Sequence, residues 1–103
     1  MAKIKFDGVV VAVRYEPNGK IDWVRAYERR GFTFSDRVML HRDTLLERLD
    51  SGLRFVVGQR VPYKASTFTI SDDLRVIQRN GDKVVVTGDA QTDHDQLEGV
   101  PII

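Results

Sequence analysis

Apolar and polar positions alternate through the first part of the chain. Ile4 and Phe6 share one face of an extended run, and Val9, Val11, Val13 and Tyr15 share one face further on, with Gly8 where the phase changes. A strand with a glycine at its phase change is expected to be bent or bulged. Glu16-Pro17-Asn18-Gly19-Lys20 predicts a turn, because Asn-Gly accepts the positive φ angles of a tight hairpin. Ile21, Trp23, Arg25 and Tyr27 then alternate with Asp22, Val24, Ala26 and Glu28 in a second strand. Arg30-Gly31 breaks it, and Phe32 to His41 reads as a third.

The period then changes. Leu45, Leu46, Leu49 and Leu53 cover one side of a short helix, Thr44 and Glu47 have capping-box spacing, and Gly52 supplies a left-handed stop. Two turns of helix do not stand alone, so this one is expected to plug an apolar opening. Leu53 to Lys64 returns to strand, with Gly58 as a bend and Pro62 suited to an edge or bulge. Ser66 to Ile70 is a candidate short strand. Leu74–Gln78 and Lys83–Thr87 flank Arg79-Asn80-Gly81-Asp82, the strongest hairpin signal in the chain. After Gly88 the periodicity is lost.

Short strands and one helix in 103 residues predict a mainly β fold. The expected form is a small five-stranded barrel of the oligonucleotide-binding type. One short helix lies between strands 3 and 4, and an extra hairpin sits at the C-terminal end. An SH3-like barrel is the competing arrangement. Residues 1–87 are expected to form this one domain and 88–103 an acidic, flexible tail.

Composition narrows the class. Apolar residues make up 42% and charged residues 30%, the ordinary globular range. There is no cysteine, so disulfides and thiolate metal sites are excluded and a cytoplasmic location is expected. No signal-like or membrane-spanning apolar run occurs. Net charge is only +1, but it is unevenly placed: residues 1–64 hold 13 Lys/Arg against 8 Asp/Glu, and residues 65–103 hold 3 against 7. A basic body with an acidic end fits a polyanion partner. It also fits a plain solvated surface.

Four short motifs in order give a family resemblance. They are Gly8-Val9-Val10, Gly19 to Val24 with Trp23, Asp36 to His41, and Gly58-Gln59-Arg60-Val61. Together they resemble the cold-shock domain family from Gly8 to about Ile77. The resemblance implies an oligonucleotide-binding barrel that stacks bases on exposed aromatics. Trp23 and His41 keep the character expected of that platform. Ala12, Ile21 and Met39 stand near positions where the family carries aromatics.

The expected function is non-catalytic binding of single-stranded RNA or DNA with little sequence preference. Trp23, Tyr27 and His41 would stack on bases, while Lys20, Arg25, Arg37 and Arg60 would meet phosphates. Asp22 and Glu28 interrupt that positive face. The bland alternative puts Trp23 in the core and His41 at a rim. The functional alternative is a protein-interaction or assembly module without nucleic acid, using Met39 and the Pro101-Ile102-Ile103 tip. The acidic tail, with Asp89, Asp93, Asp95 and Glu98, is a candidate site for a protein partner or for folding back on the basic face. No catalytic motif, phosphate-binding glycine loop or metal-ligand spacing is present, so no catalytic residue, metal or cofactor is expected. Asp93-His94-Asp95 lacks a second anchor for a metal. No membrane partner is expected.

Overall fold

The computed structural model describes residues 6–30, 33–34, 37–60, 68–79, 81–88, 92 and 94–103. Their elements run β1 (Gly8–Tyr15), β2 (Ile21–Arg30), β3 (Thr33–Phe34), β4 (Val38–His41), α1 (Arg42–Asp50), β5 (Phe55–Arg60), β6 (Phe68–Arg79) and β7 (Asp82–Thr87). Both predicted hairpins form. Gly19 (φ +89°) turns β1 into β2, and Gly81 (φ +83°) turns β6 into β7, where Arg79 faces Asp82. Val61 to Thr67, which include Pro62, lie outside the described residues. The run read as a single third strand is two short strands, both on the same edge of β2.

The strands make one mixed sheet in the order β3-β2-β1-β5-β6-β7, with β4 beside β3 on β2. β4 and β1 are each antiparallel to β2, and β1 is parallel to β5. β4 and β5 therefore run the same way with two strands between them. A parallel return needs a connection that crosses the sheet, and α1 is that connection rather than a barrel plug. Its Leu45 is fully buried in the core cluster that also holds Val10, Val24 and Leu40, and Leu46 and Leu49 pack against that cluster.

The helix stops as its sequence dictates. Gly52 takes φ +88°, its N–H donates to the Leu49 carbonyl (3.1 Å), and the Leu53 N–H donates to Arg48 (3.2 Å). Its start differs from the predicted Thr44 cap. The helix begins at Arg42, with His41 in the capping position and no side-chain cap. Arg42 is instead held by Asp95, as described below.

Mainly β structure with one short helix is what the sequence predicts, but barrel closure is not among the ladders of the described residues. The second side of β1 is already taken. β5 pairs with Gly8–Val10, and the chain's last residues pair with Val13, whose N–H donates to Pro101 and whose carbonyl accepts from Ile103 (both 2.9 Å). At the other end of the sheet Gln96 bridges to Val86 on β7. Residues 96–103 thus run from the last strand back to the first. β4 is left as an open edge whose backbone pairs only with β2 among the described residues.

Of the expected flexible tail, residues 95–103 are therefore docked. Leu97 and Val100 belong to the core. Asp95, with a side chain only 1% exposed, accepts hydrogen bonds from the Ile21 N–H (2.8 Å), the Val85 N–H (3.0 Å) and Arg42 Nε and Nη2 (2.8 and 3.2 Å). Arg42 Nη2 also donates to the Lys83 carbonyl. Composition hides this arrangement, because one carboxylate of an acidic run serves as an internal acceptor.

Burial pushes the Asp95 carboxyl up. The Arg42 hydrogen bond and the two backbone N–H groups outweigh that push and hold it below its ordinary value. Asp7 is also held low, by the Arg54 N–H and then by Arg29. Both carboxylates have folded-state pKa values below their unfolded ones. Their stabilisation is present above the unfolded value of about 3.9 and is lost as pH falls through the folded values.

Denaturant midpoints are thus expected to hold steady near neutral pH and drop below about pH 4, with a shallower drop in Asp95→Asn. At neutral pH, Asp95→Ala is expected to cost about 3–5 kcal/mol, because it strands the Arg42 charge. Removing residues 88–103 is expected to cost at least about 3–6 kcal/mol from the two lost aliphatic side chains, at roughly 1.5–3 each. Urea melts of the three variants check these values.

Candidate nucleic-acid interface

Which side chains share a face is set by two irregularities. In β1 the register slips between Val10 and Ala12, leaving Val11 as the extra residue. The phase change therefore lies at Val11, not at Gly8. β1 is covered on both faces, and a run of valines fits either one. In β2 the register slips at Asp22, since Tyr15 faces Ile21 and Arg14 faces Trp23. Ile21 consequently joins Val24 and Ala26 in the core, while Trp23, Arg25, Tyr27 and Arg29 take the opposite, outward face.

On that face the β4, β2 and β1 registers build two rows. His41, Trp23 and Arg14 stand side by side in one, and Met39, Arg25 and Ala12 in the next. The exposed His41 imidazole makes no capping bond to the helix that follows it. Trp23 is half-buried, with the Arg25 guanidinium 5.7 Å from the centre of its ring. A cation over an indole at such a site contributes about 0.5–1 kcal/mol, enough to orient both groups. Arg14 is exposed and only loosely tied to Asp22 (3.9 Å).

The remaining predicted contacts divide. Tyr27 shares the face but is 7% exposed, its ring 5.2 Å from that of Phe68. It is therefore not an open platform; the long β6 strand brings Phe68 over it. Lys20 is exposed in the first hairpin and, with Glu16, Asp22, His41 and Asp43, lines an open cavity of about 390 Å³. Arg37 is exposed just before β4. Arg60 ends β5, on the far side of β1 from β2, and its side chain lies outside the described residues.

Glu28 does not interrupt the outward face. It falls in phase with Val24 and Ala26 and meets Arg48 of α1 (3.3 Å) on the helix side. Asp22 sits in the bulge. At the outward positions of β2 every charged side chain is an arginine.

Val13 and Tyr15 both face the core, which turns Arg14 outward, and the slip at Asp22 sets it beside Trp23, a neighbour that alternation alone does not reveal. Among the described residues no cluster of three His, Asp or Glu could hold a metal. Asp95 of the Asp93-His94-Asp95 triplet is committed to Arg42, and Asp93 lies outside the described residues. No helix among the described residues is long and apolar enough to cross a membrane. Compared with protein-family models, with curated proteins and with solved structures, the chain finds no match.

Proposed function

We propose that this chain binds single-stranded RNA or DNA, without catalysis and with little sequence preference, on the outward face of β4, β2 and β1. The observation that carries this reading is the row His41–Trp23–Arg14 with Arg25 lying over the indole. A base laid on Trp23 gains roughly 1–3 kcal/mol of stacking whatever its identity, because every base has a π face. Arg25 and Arg14 flank the ring at strand-neighbour distance and meet the phosphates on either side, with Lys20 and Arg37 further out. Phosphate contacts fix position and carry no sequence information. The cold-shock likeness supports the same reading at Trp23 and His41, the positions where its motifs keep their character. Likeness of fold alone would not, since one fold hosts many functions.

A protein-interaction role is the second reading. Its support is Met39, 54% exposed on the open edge strand beside Arg25, together with the exposed Ile102 and Ile103.

Titrating Trp23 fluorescence with a short oligothymidine separates the two readings. Quenching is expected, weakening with salt at a log–log slope of about −0.7 per phosphate contact. Trp23→Leu should weaken binding of a labelled oligonucleotide by about 5- to 150-fold, the equivalent of one lost stack. A flat titration at low salt overturns the nucleic-acid reading.

A further inference from the structure

Resting on that proposed function, the geometry points to a second base seat at the far end of β2. It is formed by the rings of Phe34 and Phe68, with Arg25 holding the strand between the two seats. β2 presents Trp23, Arg25, Tyr27 and Arg29 outward in line. Phe34 stands opposite Arg29 across the β2–β3 pair, and its ring meets that of Phe68 edge-on at 4.9 Å. Phe68 in turn covers Tyr27. Phe6 closes the group, 5.6 Å from Phe34 and 6.3 Å from Phe68. Tyr27 is withdrawn from solvent, but Phe6, Phe34 and Phe68 each keep part of their surface exposed. The stacking role expected of Tyr27 thus passes to the rings that cover it.

Spacing then fixes the kind of ligand. Trp23 and Tyr27 are four residues apart on one strand, about 13–14 Å at roughly 3.4 Å per residue. Adjacent bases stacked in a helix are only about 3.4 Å apart, so no stacked pair reaches both seats. An extended single strand reaches them with at least one nucleotide spanning Arg25. A duplex, with its bases paired inside, offers neither seat a free face. The charge along the path suits such a chain: the outward charges of β2 are Arg25 and Arg29, and Glu28 is held by Arg48 on the other face. Arg29 is itself braced by Asp7 at 2.7 Å. The preferred ligand is therefore an unstructured strand longer than two nucleotides.

The test is a length series on the full chain at one moderate salt concentration. Oligothymidines of two, four and six nucleotides are read by Trp23 fluorescence, with a hairpin duplex as control. The dinucleotide should quench weakly, and affinity should rise about tenfold or more on reaching four nucleotides, the size of one added stack. Phe34→Leu and Phe68→Leu keep an apolar side chain over Tyr27. Each should remove most of that rise and leave dinucleotide binding unchanged, with circular dichroism as the check on folding. Equal affinity for two and four nucleotides, or a rise that survives in both leucine variants, overturns the second seat and leaves the Trp23 site standing. Absence of quenching at every length overturns both. Binding of the duplex as tight as that of the six-nucleotide strand overturns the extended path.

Discussion

The carboxylate of Asp95 joins four parts of the chain: the start of β2, the start of α1, β7 and the segment that carries Asp95 itself. Two backbone N–H groups, one at the start of β2 and one inside β7, point at it, and the first side chain of α1 closes over it. A buried charge is costly unless its acceptor capacity is filled. Here four donors fill it, and no buried side-chain polar atom among the described residues lacks a partner. Because the donors come from separate elements, satisfying this one group fixes the start of β2, the start of α1 and the path of residues 96–103 together. This polar knot ties β7 to the starts of β2 and α1, and residues 96–103 carry the chain on from β7 to β1.

The candidate interface is joined to that knot through the backbone. Ile21 lies two residues before Trp23, and Arg42 directly follows His41. The backbone on either side of the two aromatic groups is thus pinned from below, while their side chains face away from the core. The bulge at Asp22 lies between the pinned Ile21 and the outward Trp23, and it lets β2 serve the core at one position and the solvent face at the next but one. Rigid support of this kind keeps a small recognition surface from losing affinity to side-chain and strand disorder.

Much of the local structure was legible in the sequence. Asn18-Gly19 and Asn80-Gly81 marked their turns because few other pairs tolerate the φ angles required, and Gly52 marked the helix stop for the same reason. Trp23 and His41 were picked out by residue type, and the register makes them cross-strand neighbours. What escaped was anything that depends on phase in a strand buried on both faces. Val9 to Val13 offer no polar residue to show where β1 slips, and the unbroken alternation of Ile21, Trp23, Arg25 and Tyr27 hides the second slip at Asp22, which turns Ile21 into the core and sets Arg14 beside Trp23. Asp95 escaped for another reason. Its bond to Ile21 spans 74 positions, and an aspartate in an acidic stretch looks the same whether it faces water or a ring of donors. Tyr27 was read correctly as to face, but nothing near it in sequence announced that Phe68 would cover it.

The open edge at β4 has a bearing on how this protein behaves in a crowded solution. An exposed edge strand is a template on which another sheet can grow, and long flat ones invite aggregation. β4 offers little to such growth. It is four residues long, half of its backbone groups are already spent on β2, and at Arg42 the chain turns into a helix that cannot be extended as strand. Arg37 stands charged at the other end. The opposite edge, at β7, is met at Val85 and Val86 by the segment carrying Gln96. Among the described residues, β4 thus leaves no long edge on which copies of this chain could polymerise.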